Sequence, residues 1–328
     1  MANLATTYMG LKIKSPLIIG SSGLTNSIEN IEKFAKLGAG AIVLKSLFEE
    51  QIMHEVSYTL KQDPLTNAYP EAEDYIKNYT KQNSVNHYLD LIKEAKKKVN
   101  IPIIASINCT SANEWTSFAK SIEAAGADGL ELNIFIMPSD INRSSTENEQ
   151  LYFDIINKVE KETKLPISIK LSYHFSSLAN TLEKLSWTGI KSLTLFNRFF
   201  SPDIDLDKME VKPSFVFSKA EDLGISLRWI ALLSNRVRCE LSASTGVHSG
   251  EAVIKELLAG AQTVQVASVL YKEGIEFVSV ILETIDKWMD KKGFADIDSF
   301  KGKLSVSKTA SPGAYERVQF MKHFSGIE

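Results

Sequence analysis

Two lysines and three asparagines are the residues from which chemistry is most directly argued. Lys45, Asn108, Asn133, Lys170 and Asn197 each close a short run of apolar and β-branched residues. Removing a lysine from water costs several kcal/mol unless it is paired or solvated. Lys45 and Lys170 are therefore read as facing an anionic or electron-rich ligand. The alternatives are stems that snorkel to a rim or pairing with a loop carboxylate. Asparagines at such places also form turns, and it is their convergence with the lysines that argues for a binding site. Arg198 directly follows Asn197 and either holds a carboxylate through two parallel hydrogen bonds or caps the rim. A second cluster is built from small residues. Thr245-Gly246-Val247-His248-Ser249-Gly250 leads into a helical stretch, and Ala267-Ser268 closes the next apolar run. Small side chains let backbone N–H groups approach a ligand, and a helix N-terminus adds positive potential, a combination that binds phosphate. The plain alternative is a tight turn capped by Ser249. His248 reads as a loop histidine.

These residues need a scaffold that brings them together. Eight apolar runs recur, over 16–20, 40–45, 102–108, 128–134, 166–171, 190–197, 239–245 and 262–268. They read as apolar without clean alternation, the pattern of parallel strands covered on both faces. Amphipathic segments lie between them. Val85, Tyr88, Leu89, Ile92, Ala95 and Val99 share one helical face, as do Trp115, Phe118, Ala119 and Ile122. Phe277, Val280, Ile281, Ile285 and Trp288 form a last helical face. Ser111 with Glu114, and Thr146 with Glu149, read as capping boxes. Eight strand–helix units predict an α/β fold, a single (β/α)8 TIM barrel over 1–328. Such barrels take about 250 residues, more with insertions. The excess falls in 47–83 after strand 2, in 198–218 after strand 6, and in a C-terminal extension over 305–328. Ser311-Pro312 predicts a short terminal helix there. A doubly wound sheet also alternates strand and helix, but eight consecutive units without a GxGxxG turn favour the barrel.

In this fold the loops after the strands carry the chemistry. One mouth then collects Ser21, Ser22 and Gly23 after strand 1, Lys45 and Ser46 after strand 2, and Asn108 and Cys109 after strand 3. Asn133, Lys170, Asn197 and Arg198 follow from strands 4 to 6, and Thr245, Gly246, Val247, Ala267 and Ser268 from strands 7 and 8.

Composition narrows the partners. The chain has 328 residues, 37 basic against 40 acidic, for a net charge of −3. Nucleic acid usually calls for a basic face, so it is not expected as a partner. The run Lys96-Lys97-Lys98 reads as a solvated helix face. No apolar run approaches the roughly 20 residues that span a bilayer, and the N-terminus lacks the charged-then-apolar pattern of a secretory leader. Neither a membrane nor an extracellular setting is expected, and the cytoplasm is the default. Hydrophobic residues at 44% supply a full core. Two cysteines and 5 scattered histidines support neither a disulfide framework nor a metal site.

The strand-end motifs resemble those of dihydroorotate dehydrogenases. The stretch 242–252, Ser-Ala-Ser-Thr-Gly-Val-His-Ser-Gly-Glu-Ala, and its continuation through Gly274 look like that family's FMN phosphate region. Ser15-Pro-Leu-Ile-Ile-Gly-Ser-Ser-Gly23 is similar to its first strand and flavin turn. Ala41 to Ser46, Glu131-Leu-Asn133 and Pro166 to Leu171 match in order and spacing, and Lys292-Gly-Phe through Leu304 resembles the end of the soluble class. The resemblance runs up to about Leu304, and the block of strands 7 and 8 is its most specific part. It implies FMN across the mouth, contacted by Ser21, Ser22, Gly23, Lys45, Ser46, Asn108, Asn133 and Lys170. It places the FMN phosphate on Thr245, Gly246, Val247, Ala267 and Ser268. It implies a small anionic substrate held by Lys45, Asn133, Asn197 and Arg198, and oxidation of a C–C single bond to a double bond. Dihydroorotate going to orotate in pyrimidine biosynthesis is the implied reaction, with fumarate as acceptor and a homodimer as the assembly.

The sequence also departs from that pattern. The family's base is a Cys or Ser three residues after the strand 4 Asn. Here that position is Ile136, or Met137 with one residue inserted, and neither takes a proton. The substrate loop after strand 2 offers only Asn67-Ala-Tyr-Pro70. Cys109, Ser139 and His174 are the replacement candidates, with plain readings as a buried thiol, a turn serine and a loop histidine. The departures open two further readings: an FMN barrel acting on another unsaturated substrate, and a flavin-binding protein that has lost dihydroorotate chemistry.

Overall fold

The computed structural model describes residues 2–48, 70–108, 112–198 and 202–316, and the side chains of all of these except 70–83 and 112–115. Eight parallel strands carry the fold: β1 (Leu17–Ile19), β2 (Ala41–Val43), β3 (Ile103–Asn108), β4 (Gly129–Asn133), β5 (Ile167–Leu171), β6 (Ser192–Leu195), β7 (Glu240–Ser244) and β8 (Thr263–Val266). Each pairs with the next in chain order, and β8 returns to β1, so the ring closes without an edge. The helices α1 (Ile28–Leu37), α2 (Pro70–Lys98), α3 (Ala112–Ala125), α4 (Ser145–Glu160), α5 (Leu178–Leu185), α6 (Leu223–Leu233), α7 (Gly250–Ala259) and α8 (Phe277–Lys292) cover the outside. This is the (β/α)8 barrel that the eight runs predict.

The strands do alternate, against the sequence reading. Leu130 and Leu132, Ile167 and Ile169, Leu193 and Leu195, and Val264 and Val266 face the helices in one continuous apolar core. The intervening residues of β4 to β8 point into the lumen and are polar: Glu131 and Asn133, Ser168 and Lys170, Ser192 and Thr194, Ser242 and Ser244, Thr263 and Gln265. Only the β1–β3 side of the lumen is apolar, where Ile18, Ala41, Val43 and Ile104 form a second, smaller cluster. A polar lumen is rare, because (β/α)8 interiors are usually filled by branched apolar side chains. Here the lumen can carry charge and hydrogen bonds up to the mouth.

An N-terminal hairpin, Thr6–Tyr8 paired with Leu11–Ile13, plugs the opposite end. Tyr8 and Met9 enter the small lumen cluster. Thr7 Oγ1 bonds Glu240 at the start of β7, and Gln262 bonds Thr6 and Thr7. The short spacing of these two strands left no visible signal among the longer apolar runs.

Several local expectations shift. The capping box of α4 lies two residues earlier than Thr146 and Glu149. Ser144 N donates to Glu147 Oε2 at 2.7 Å, and Glu147 N donates to Ser144 Oγ at 3.3 Å. The sequence Ser-Ser-Thr-Glu permits both phases, and only the helix start decides. The box at Ser111 lies outside the described residues. On α8 the buried stripe is Val278, Ile281, Ile285 and Met289, while Val280 is half exposed. Lys97 and Lys98 are exposed as expected, while half-buried Lys96 bonds both oxygens of Asp128 at 2.7 Å and so ties α2 to the start of β4. Of the insertion after strand 2, Leu47–Phe48 pairs with the end of β3, and α2 begins at Pro70. The insertion after strand 6 folds into an antiparallel hairpin, Pro202–Asp205 with Glu210–Pro213. In the C-terminal part, Leu304 N and Val306 N bond Leu258 O and Ala231 O, which lays this segment across α7 and α6. The short helix after Pro312 is Gly313–Glu316.

Candidate active site at the barrel mouth

Period-2 alternation brings the chemistry together. Asn133 is two residues beyond Glu131, and Lys170 two beyond Ser168, so each pair shares the lumen face. The β4–β5 register sets Asn133 against Lys170 and Glu131 against Ser168. Two layers result, with Asn133 and Lys170 at the floor of the mouth and Glu131 beneath. Asn133 and Lys170 each keep only 8% of their surface exposed.

Neighbours fix these side chains. Asn197 Nδ2 donates to Asn133 Oδ1 at 2.8 Å, which leaves the Asn133 amide N–H groups and the Asn197 carbonyl to a ligand. Lys170 Nζ donates to Gln265 Oε1 at 3.0 Å. Three hydroxyls link the first strands: Ser21 Oγ lies 3.1 Å from Ser46 Oγ, which lies 2.7 Å from Ser106 Oγ. Lys45 and Asn108 stand half-buried at the ends of β2 and β3. Ser22 and Gly23 open a short 3-10 turn. A Cβ on Gly23 would sit 2.8 Å from the Tyr271 hydroxyl, which accepts from Leu24 N.

The loop after β7 is held in an unusual backbone conformation. Thr245 has φ +80° and Gly246 has φ +78°. The first is uncommon for a β-branched residue and is anchored by Thr245 Oγ1 donating to Phe196 O at 3.0 Å. At Gly246 a Cβ would lie 2.0 Å from Leu223 N, so only glycine fits. Together with Ala267 and Ser268, this loop lines a cavity of about 130 Å³ that also touches Lys170 and Arg198. Among the described residues the cavity wall carries these two cations and no carboxylate. A second cavity of about 200 Å³ shares Asn197, Arg198, Ser244 and Thr245 with it.

The end of the expected insertion after strand 6 forms a strap over 215–219 that crosses beside these cavities. Arg198 holds it, with Nη1 donating to Val216 O at 2.5 Å and Nη2 to Phe215 O at 2.9 Å. Ser268 Oγ accepts from Ser218 N at 3.1 Å, and Lys272 donates to Ser218 O at 2.9 Å. His248 Nε2 lies 2.9 Å from Ser218 Oγ. Burial, with the Lys272 ammonium, holds His248 below the ordinary imidazole range. Phe217 stacks on Tyr271 at 5.1 Å. Two donors of Arg198 are thus committed to the protein, and the rest of its fork remains for a ligand.

The candidate bases do not share one place. Ile136 lines a cavity of about 470 Å³ beside the mouth, together with Tyr152, Tyr173 and His174. Tyr173 also lines the cavity at Asn197. Ser139 is exposed beyond Pro138, and Cys109 lies outside the described residues. Cys239, at the opposite end of the barrel, has its thiol pushed up to about 12 by burial.

The fold and the strand-end set agree with a comparison against known families. The family model described as dihydroorotate dehydrogenase matches residues 3–289. The chain belongs to the dihydroorotate dehydrogenase family. Within that family it is 24% identical over 311 residues to the catalytic subunit of dihydroorotate dehydrogenase B (NAD(+)) of Thermoplasma volcanium, covering 92% of this chain and 98% of the relative. It is 26% identical over 320 residues to dihydroorotate dehydrogenase A (fumarate) of Lactococcus lactis subsp. lactis, covering 92% and 99%. Against dihydroorotate dehydrogenase (fumarate) of Lachancea kluyveri it is 23% identical over 329 residues, covering 93% and 99%. The family match includes every strand of the barrel and every residue of the mouth named above. Among the described residues no helix is long and apolar enough to cross a membrane.

Proposed function

We propose that this chain is an FMN-dependent oxidoreductase that acts on a CH–CH bond, with dihydroorotate oxidised to orotate as its reaction. One observation carries the reading: a neutral amide pair, Asn133 with Asn197, stands beside Lys170 in a mouth whose phosphate-sized cavity has, among the described residues, two cations and no carboxylate. An anion is favoured there, and the free amide N–H and carbonyl groups complement the N–H and C=O edge of a cyclic ureide.

The residues suit FMN. Thr245, Gly246, Val247, Ala267 and Ser268 would hold its phosphate, since their small side chains leave backbone N–H groups accessible. Ser21, Ser22, Gly23, Ser46, Asn108 and Lys170 would contact the ring system and its chain. FMN in this place supplies the two-electron acceptor that side chains lack. The protein's own part is to bind, orient and exclude water. Lys45 and the remaining fork of Arg198 supply positive charge for a substrate carboxylate, and Asn133 and Asn197 orient its ring. Oxidation would pass a hydride from one carbon to the bound cofactor and a proton from its neighbour to a side-chain base, for which His174 is the replacement candidate.

Ile136 favours a second reading. The position that bears the family's base carries no proton acceptor, so the natural substrate is then another unsaturated compound that needs no base there. Under the first reading His174, which lines the same side cavity as Ile136, is the replacement base we favour over exposed Ser139. The setting we infer is the cytoplasm, with a second copy of the chain as partner. The exposed apolar pair Ile204 and Val211 on the hairpin after β6 supports such a contact.

The test is the absorption spectrum of the purified protein and its anaerobic titration with dihydroorotate. Bound flavin that bleaches supports the first reading. Bound flavin that does not bleach supports the second, and Ile136→Cys is then expected to raise the bleaching rate by about 10²-fold or more. A protein that neither retains nor takes up FMN refutes both.

A further inference from the structure

Beneath the mouth, the lumen holds a carboxylate for which the proposed reaction has no use. Glu131 is fully buried. Its Oε2 accepts from Gln265 Nε2 at 2.6 Å, from Thr194 Oγ1 at 3.3 Å and from Tyr8 Oη at 3.4 Å. The shortest of these has the length of a charge-assisted bond. A carboxylate only accepts, so the nitrogen of the Gln265 amide must face Glu131. Tyr8 Oη at 3.2 Å and Thr194 Oγ1 at 3.4 Å surround the same nitrogen. The amide oxygen is thereby turned upward, where it receives the Lys170 ammonium at 3.0 Å. Were the amide reversed, its N–H groups would face the ammonium, two donors with no acceptor between them. The column Glu131–Gln265–Lys170 thus runs from the sealed lumen to the floor of the mouth through one amide whose orientation Glu131 decides.

We propose that Glu131 and Gln265 are positioning residues for the bound cofactor, with the carboxylate setting the amide and the amide oxygen holding Lys170 at the place where the flavin binds. This rests on reading the mouth as a flavin site. The role is transmitted only through Lys170, so the contribution of Glu131 to cofactor affinity disappears when Lys170 is absent.

The test is a double-mutant cycle on the full chain. FMN dissociation constants are measured by quenching of flavin fluorescence for the wild type, Glu131→Gln, Lys170→Met and the double variant. Glutamine at 131 keeps the shape but offers both a donor and an acceptor, so the Gln265 amide loses its fixed direction. Glu131→Gln is expected to weaken FMN about tenfold when Lys170 is present, the worth of a hydrogen bond to a charged group, and less than about twofold when it is not. Equal losses in both backgrounds, or no loss in either, overturn the proposal. Tyr8→Phe removes a hydroxyl from the same carboxylate without touching the amide's upper side. It is expected to stay within about twofold of the wild type; a tenfold loss from it shows a general lumen effect and counts against the proposal. A paired Glu131→Met, Gln265→Met variant, which replaces both partners together by apolar groups, should show the same dependence on Lys170. A wild type that does not bind FMN is a different failure, that of the flavin reading, and is seen before any variant is compared.

Discussion

Glu256 makes the stability of this protein depend on pH in a way that can be worked out from its surroundings. It lies on α7 with no surface exposed, and among the described residues neither of its carboxyl oxygens has a hydrogen-bond partner. Ser226 lies close enough to favour the ionised form a little, but its hydroxyl donates to Leu195 O at 3.0 Å. Desolvation therefore dominates and pushes the carboxyl up to about 8, from an ordinary 4.5. Below the ordinary value the group is protonated in the folded and the unfolded chain, and contributes no pH dependence. Between the two values the unfolded chain releases the proton while the folded chain keeps it. Stability then falls as pH rises, by about 1.4 kcal/mol per pH unit, and the loss levels off above the folded value at roughly 5 kcal/mol. Relaxation and water entry make this an upper limit, yet it is comparable to the whole stability of an ordinary domain. Glu256→Gln keeps the shape and removes the proton. The difference between the two melting curves across pH 4.5 to 9 isolates this one group, since all other titrations are shared. The variant should match the wild type near pH 4.5 and melt higher by up to roughly 7 °C at pH 8, from the usual unfolding entropy per residue. Parallel curves over this range would falsify the burial argument for Glu256.

Two further changes probe the mouth. Gly246→Ala puts a Cβ 2.0 Å from Leu223 N at a φ of +78°, a backbone collision that no side-chain rotation relieves. It should destabilise the chain by about 2 kcal/mol or more, read as a lower melting temperature together with loss of retained FMN. An alanine variant that melts and binds like the wild type means that the loop conformation is not as described. Arg198→Ala removes both donors to the strap carbonyls. Limited proteolysis with mass spectrometry should show cleavage within 202–218 faster by about tenfold; an unchanged rate shows that the strap is held by its other contacts alone.

Much of the mouth was legible because strand ends are local features. Lys45, Asn133, Lys170 and Asn197 each close an apolar run, and in a (β/α)8 barrel such positions share one face whatever the details of packing. What escaped was the alternation within the runs. Glu-Leu-Asn over 131–133, Ser-Ile-Lys over 168–170, Ser-Leu-Thr over 192–194 and Thr-Val-Gln over 263–265 each carry a period of two. No clean alternation shows along the whole runs because the apolar residues flanking them mask three-residue stretches. Gln265 and Glu131 have a signal in this pattern; the strap is visible only as part of the insertion 198–218, and its contacts through Ser218 have none. The shifted capping box of α4 and the exposed Val280 of α8 show the same limit, since one or two residues of phase are decided by what the helix packs against.

The barrel, the number and order of its strands and the departure at Ile136 are already written in the amino-acid sequence. Each of these follows from periodicity and from residue types at strand ends, over stretches of a few residues. The partners of these residues come only from the folded chain. Lys170 meets Gln265 across 95 positions of the chain and Gln265 meets Glu131 across 134, contacts that barrel closure and register create and that no local pattern encodes. It also decided that Arg198 faces two strap carbonyls as well as the mouth, because a fork of donors goes to whichever acceptors the folded chain brings near.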